Sequence, residues 1–134
     1  MENFFTISEL SRSNTATSRG IDNAPTPEIE SKMQDLIDYV LNPVRKWYGA
    51  PIYVNSGYRC PELNKAVGGA PTSQHQKGEA ADIDTRNHEN NVKIFNWIKD
   101  NLVYDQLIWE NNGAWIHVSY KKDGKNRMQV LDLK

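Results

Sequence analysis

The stretch "DQLIWENNGAWIHVSY", residues 105–120, decides the architecture of this chain. Two strand-like runs, "DQLIWE" and "AWIHVSY", flank Asn111-Asn112-Gly113. Asn-Gly is the strongest two-residue hairpin signal, because both turn residues take positive φ. With Asn112-Gly113 as the turn, Asn111 pairs with Ala114, Glu110 with Trp115 and Ile108 with His117. Strand alternation then sets Glu110, Trp115, His117 and Ser119 on one face, and Leu107, Trp109, Ile116 and Val118 on the other. The second face is apolar and calls for a cover of helices. The first carries an acid and an imidazole.

The cover is visible upstream. "TPEIESKMQDLIDYVLNPVRKWYG", residues 26–49, predicts a helix in which Ile29, Met33, Leu36, Ile37, Val40, Leu41 and Val44 form one buried face. Thr26 caps it, Pro27 takes the first helical position, and Glu28 and Glu30 suit its positive end. Pro43 is expected to kink the helix or restart it with Asn42 as cap, and Gly49 to end it. "HENNVKIFNWIKDNL", residues 88–102, predicts a second helix with Ile94, Phe95, Ile98 and Leu102 inward. Short strands are expected at Ile52–Asn55 and about Ala80–Asp84, a short helix at "PELNKAVGG" (residues 61–69), and a last strand after a turn at Asp123-Gly124. Residues 1–25 read as a polar leader in which "FTISEL" forms a short helix or an edge segment. Helices and strands come in blocks and the hairpin is antiparallel. The expected fold is α+β, one domain over residues 1–134, a small antiparallel sheet packed by helices.

"TSQHQKGEAADID", residues 72–84, supplies the chemistry. Gly78 costs about 1 kcal/mol in a helix interior relative to Ala, so a loop turning at Gly78 into a strand at Ala80 fits better than a helix. Such a loop brings His75 and Asp82 to one point. With His117 from the hairpin they make two imidazoles and one carboxylate from separate segments. Three protein ligands with one open position describe a catalytic zinc site. The same donor set also admits cobalt, nickel or iron. Bound zinc makes water nucleophilic at neutral pH, and a nearby carboxylate has then to carry its proton to the leaving group. Glu110 is the candidate, being on the face of His117. Arg59, just after the first strand, offers a planar fork for a carboxylate or an oxyanion. Plainer readings stand beside these. Asp84 shares the face of Asp82 and competes as ligand, Arg59 has Glu62 as an ion-pair partner, Glu110 is a solvated residue before a turn, and His117 is a core histidine. His88 reads as a helix-start surface residue.

Composition narrows the classes. The chain has 134 residues, 38% apolar and 25% charged, which fits a globular domain. Net charge is -1, and no basic stripe asks for nucleic acid. Lys121, Lys122, Lys125 and Arg127 read as a solvated hairpin end. The single cysteine, Cys60, excludes an intrachain disulfide and reads as a small buried hydrophobe. No run approaches the ~20 apolar residues of a membrane span. The opening residues lack the basic-then-apolar pattern of a secretory signal, so synthesis in the cytoplasm is expected.

"SGYRCPELNKAVGGAPTSQHQKGEAADID", residues 56–84, followed by "DQLIWE" and "WIHVS", resembles the peptidase M15 family, the zinc D-alanyl-D-alanine carboxypeptidases and phage endolysin-type peptidases. The family pattern S-x-H-x-x-G-x-A-x-D is met by Ser73, His75, Gly78, Ala80 and Asp82, and its W-I-H by His117. The resemblance covers roughly Thr26 to Tyr120. It implies zinc held by His75, Asp82 and His117, a substrate carboxylate or tetrahedral intermediate held by Arg59, and a small α+β fold shared with the hedgehog signalling domain. Two departures matter. Ala114 stands where several members have an acid, and Trp115 where others have a histidine. The acid role therefore passes to Glu110. Trp115 becomes a cleft wall or a packing residue, and Ser73 orients His75 or touches substrate. The implied function is a monomeric zinc peptidase that hydrolyses peptidoglycan stem peptides, as carboxypeptidase or endopeptidase, reaching the wall after release in a phage or prophage context. The rival expectations are a metal-stabilised peptide- or wall-binding module without catalysis, and a phage structural protein that kept the fold.

Overall fold

The computed structural model describes residues 3–133. Six helices and five strands follow in order: α1 (Ile7–Ser11), α2 (Asn14–Arg19), α3 (Pro27–Leu36), α4 (Asn42–Tyr48), β1 (Tyr53–Ser56), α5 (Pro61–Ala66), β2 (Ala80–Asp84), α6 (His88–Asn101), β3 (Gln106–Glu110), β4 (Trp115–Ser119) and β5 (Gln129–Leu133). The strands form one sheet in the order β1-β2-β4-β3-β5. The fold is α+β, a single small domain with a mostly antiparallel sheet.

The hairpin has the expected register: Glu110 pairs with Trp115 and Ile108 with His117. Asn111, Asn112 and Gly113 all have positive φ (49°, 54° and 85°), and Ala114 N–H closes the turn on the Asn111 carbonyl at 3.2 Å. Ala114 itself is helical in conformation rather than extended, so pairing ends at Glu110–Trp115. One face of the sheet sends Ala81, Ile83, Leu107, Ile116 and Val118 into the core, where they meet Met33, Leu36, Ile37, Val40, Ile94 and Ile98 from the helices. Trp109 packs at the margin, edge-on to Phe95 and His88.

Thr26 caps α3, its side chain accepting from Ile29 N–H at 3.2 Å, and Gly49 ends α4 at φ 76°. Between them the helix does not break. Residues Ile37–Leu41 take a π-helical turn, and Asn42 N–H reaches the Ile37 carbonyl. The wider turn accommodates the donor that Pro43 lacks. Asn42 is therefore not a cap. It is helical, and its Oδ1 accepts from Phe4 N–H at 3.0 Å.

Three further expectations change. β5 runs parallel to β3, where an all-antiparallel sheet was expected. The segment after β4 passes the start of β3, where Met128 N–H meets the Tyr104 carbonyl and Gln129 N–H the Asp105 carbonyl. It therefore re-enters the sheet at the end where β3 begins. Arg127 secures that crossing with a bidentate pair to the fully buried Asp105 (3.0 and 2.8 Å), so it is not merely a solvated hairpin end. Cys60 is half-buried and caps α5, its sulfur accepting from Leu63 N–H.

The polar leader folds into two short helices that carry Leu10 and Ala16 into buried positions, and Phe5, just before the first, is buried as well. Asn23 ties it down, donating to the Ser11 and Tyr58 carbonyls and accepting from Cys60 N–H. No helix among the described residues is long and apolar enough to cross a membrane.

Candidate metal site and its cleft

His75 lies on a short 3₁₀ turn, Gln74–Lys77, capped by Ser73 Oγ and closed by Gly78 at φ 73°. Its Nδ1 sits 2.7 Å from the Gly57 carbonyl. A carbonyl only accepts, so Nδ1 carries a proton, and Nε2 is the ring nitrogen that a metal would take. That Nε2 points at Asp82 Oδ1, 3.3 Å away. His117 stands directly opposite Asp82 in the β2–β4 register, and its Nδ1 is 3.1 Å from the same oxygen. The three side chains offer ligand atoms all within 4.8 Å of one another. A tetrahedral zinc with bonds of ~2.0–2.1 Å sets its ligand atoms roughly 3.3 Å apart, and the spacing of each imidazole nitrogen from Asp82 fits that ion. His75 and His117 are buried, and Asp82 is nearly so.

Burial alone would push the Asp82 carboxyl up. The hydrogen bonds from His117 and His75 and the charge of both rings outweigh it and hold Asp82 well below the usual carboxylate range. The group is an anion throughout the physiological range, as a ligand has to be. His117 Nε2 is buried without a partner.

Arg59, Ser73, His75, Asp82, Glu110, Trp115 and His117 all line one cleft of about 350 Å³. Glu110 ends β3, and its Oε2 accepts from the Trp115 indole N–H at 3.1 Å. The two residues expected to share a face thus share a bond. Arg59 is placed by its backbone N–H on the His75 carbonyl at 3.0 Å. Burial lowers its pKa, while the charges of Asp82 and Glu110 act the other way, so the guanidinium lies within the field of both acids. Its Nε is buried without a partner, and among the described residues it makes no ion pair with Glu62. Ser73 Oγ accepts from His75 N–H at 3.2 Å, which orients the turn.

Asp84 is elsewhere engaged: its Oδ1 accepts from Arg86 N–H and Asn91 Nδ2 at 2.8 and 3.0 Å. His88 Nε2 lies 3.1 Å from the Asn112 carbonyl, outside the cleft. Gly57 was missed in the sequence. Its carbonyl orients His75, and a Cβ there would collide with the Leu10 backbone. The signal available was the glycine inside "SGYR", but its neighbour, Leu10, is distant in sequence.

The sequence model of the Peptidase M15 family matches residues 3–119. The match begins well before Thr26. Over 80 residues the chain is 38% identical to the zinc D-Ala-D-Ala carboxypeptidase of Streptomyces albus G. That alignment covers 59% of this chain and 30% of the relative, so the chain spans about a third of that protein.

Proposed function

The chain belongs to the peptidase M15 family, and from that premise we propose that it is a zinc-dependent peptidase of peptidoglycan stem peptides. One observation carries the reading. Two histidine nitrogens converge on a single Asp82 oxygen inside a cleft that also holds an acid and an arginine. His75, Asp82 and His117 would hold the metal. When bound, zinc supplies a Lewis acid and water that is nucleophilic near neutral pH. Glu110 is the proton carrier. Its Oε2 is held by Trp115, which leaves Oε1 to take a proton from the attacking water and return it to the leaving amine. Arg59 holds a substrate carboxylate or the developing oxyanion, a role its place in the cleft wall supports. Trp115 walls the cleft and orients Glu110. Action on the wall after release by phage lysis is the setting this reading implies.

The test is incubation of the zinc-loaded protein with purified peptidoglycan and analysis of products by mass spectrometry. Loss of a terminal alanine identifies a carboxypeptidase, and a new internal amine and carboxyl an endopeptidase. Glu110→Gln is expected to lower turnover at least ~100-fold while zinc stays bound. His75→Ala is the metal-free control. No product from several wall types, with zinc bound, would overturn the reading in favour of a non-catalytic binding module.

A further inference from the structure

A larger concavity, about 530 Å³, lies on the far side of Arg59 from the metal ligands. Arg59 lines both spaces, so they adjoin at that residue. The sheet explains the continuity. Tyr53 pairs with Asp84 and Ser56 with Asp82, and directly paired residues share a face. A bulge between Val54 and Ser56 lets both Tyr53 and Ser56 face the metal side. The open face therefore runs from β3 through the metal ligands to β1, the edge strand.

The far space is basic where the metal cleft is acidic. Arg12, Arg59 and Arg86 line it against one acid, Glu9. Arg86 is seated rather than free. Its guanidinium lies 3.7 Å from the centroid of the Tyr53 ring, and its backbone holds a positive φ of 65°, locked by Arg86 N–H on Asp84 Oδ1. A non-glycine residue in that region is uncommon, and here it turns the side chain over the groove. Arg12 and Arg86 are exposed, and among the described residues none of the three arginines has an ion-pair partner.

We propose that this groove is a second substrate subsite, in which Arg12 and Arg86 take a carboxylate carried by the stem peptide beyond the bond at the metal. The inference rests on the reading of the chain as a stem-peptide peptidase and names the part of the substrate that the groove reads. Stem peptides offer such a group, because D-glutamate is linked through its side chain and leaves its α-carboxylate free. In many walls that carboxylate is amidated, so the groove discriminates between wall types.

The probes are N-acetyl-γ-D-glutamyl-L-lysine amide and its D-isoglutamine counterpart, which differ by one carboxylate. Each is titrated into the zinc-loaded protein by NMR. The free acid is expected to bind about fivefold more tightly, and the R12Q/R86Q double variant to bind the two probes alike. Both positions are exposed, and a thermal midpoint checks that the variant folds. Equal affinities in the wild type, no binding of either probe, or a preference that survives in the double variant would each overturn the subsite. The probes carry no D-alanine, and the titration reads binding rather than turnover. A failed wall digestion with the preference intact therefore counts against the peptidase reading alone.

Discussion

Single residues control the site through what they allow others to do. Asp82 takes two imidazoles on one oxygen, so replacing it with Asn keeps the shape and removes the charge. Changes in groups that merely support ligands reduce metal affinity by about 10–100-fold. Asp82→Asn is expected to exceed that range in a chelator-competition titration, and an unchanged affinity would remove Asp82 from the ligand set. Gly57 acts at a distance from the candidate ligand atoms. A Cβ at this position meets the Leu10 carbonyl, carbon and Cα, none of which is a flexible side-chain end. Tyr58 N–H is also bound to that carbonyl at 2.7 Å, so the segments cannot part cheaply. Gly57→Ala is expected to destabilise the fold by about 1–3 kcal/mol in urea unfolding. Zinc affinity should fall with it, because the Gly57 carbonyl sets the His75 ring.

Among the elements, β5 shows how an exposed arginine paired with a buried carboxylate secures a strand. The side-chain hydrogen bonds from Arg127, against the opposing effect of burial, bring the Asp105 carboxyl down to about 2. Gln74 also donates to it at 2.7 Å, linking the β5 crossing to the turn that carries His75. A carboxyl with a depressed folded pKa stabilises the fold above its unfolded value, near ~3.9. That contribution is lost as pH falls from about 4 toward 2. Asp105→Asn is expected to cost about 2 kcal/mol at pH 7 and to flatten the acid limb of the urea midpoint between about pH 4 and 2. An acid limb identical to wild type would show that Asp105 does not govern it. In the helix before β1, the π-turn has the opposite logic. It carries the helical backbone from α3 into α4 despite Pro43, and Leu36, Ile37, Val40 and Leu41 are all fully buried along it.

At the scale of the whole molecule, the N-terminal segment and the sheet form one body. Phe5 and Leu10 are 2% and 1% exposed, and Asn23 bridges the segment to Tyr58 and Cys60 beside Arg59. Each large apolar side chain buried this way contributes about 1.5–3 kcal/mol, a large part of the stability of a small domain. A variant lacking residues 1–25 is expected to show no cooperative thermal transition by circular dichroism. A cooperative melt near the wild-type midpoint would make the segment an appendage. The same segment supplies Arg12 and one wall of the groove on the far side of Arg59. The N-terminus thus contributes to the core and to the proposed substrate surface.

The sequence alone determined what local chemistry dictates. Asn112-Gly113 set the hairpin because few residues accept consecutive positive φ, and the register followed, placing Glu110 opposite Trp115 and His117 on the polar face. The spacing from His75 to Asp82, with Gly78 turning the chain, was legible for the same reason. Tertiary structure decided what depends on residues far apart. The direction of β5 follows from an Asp105–Arg127 pair 22 residues apart, and the tautomer of His75 from a carbonyl 18 residues away. Asp84 and Asp82 were equivalent as letters, and only Asn91 and Arg86 drew Asp84 away. The basic groove was invisible in the chain, since Arg12, Arg59 and Arg86 come from three segments that meet only when β1 takes the edge of the sheet. Backbone preference acts within a few residues and can be read directly, whereas charge pairing and burial act through space and wait for the fold.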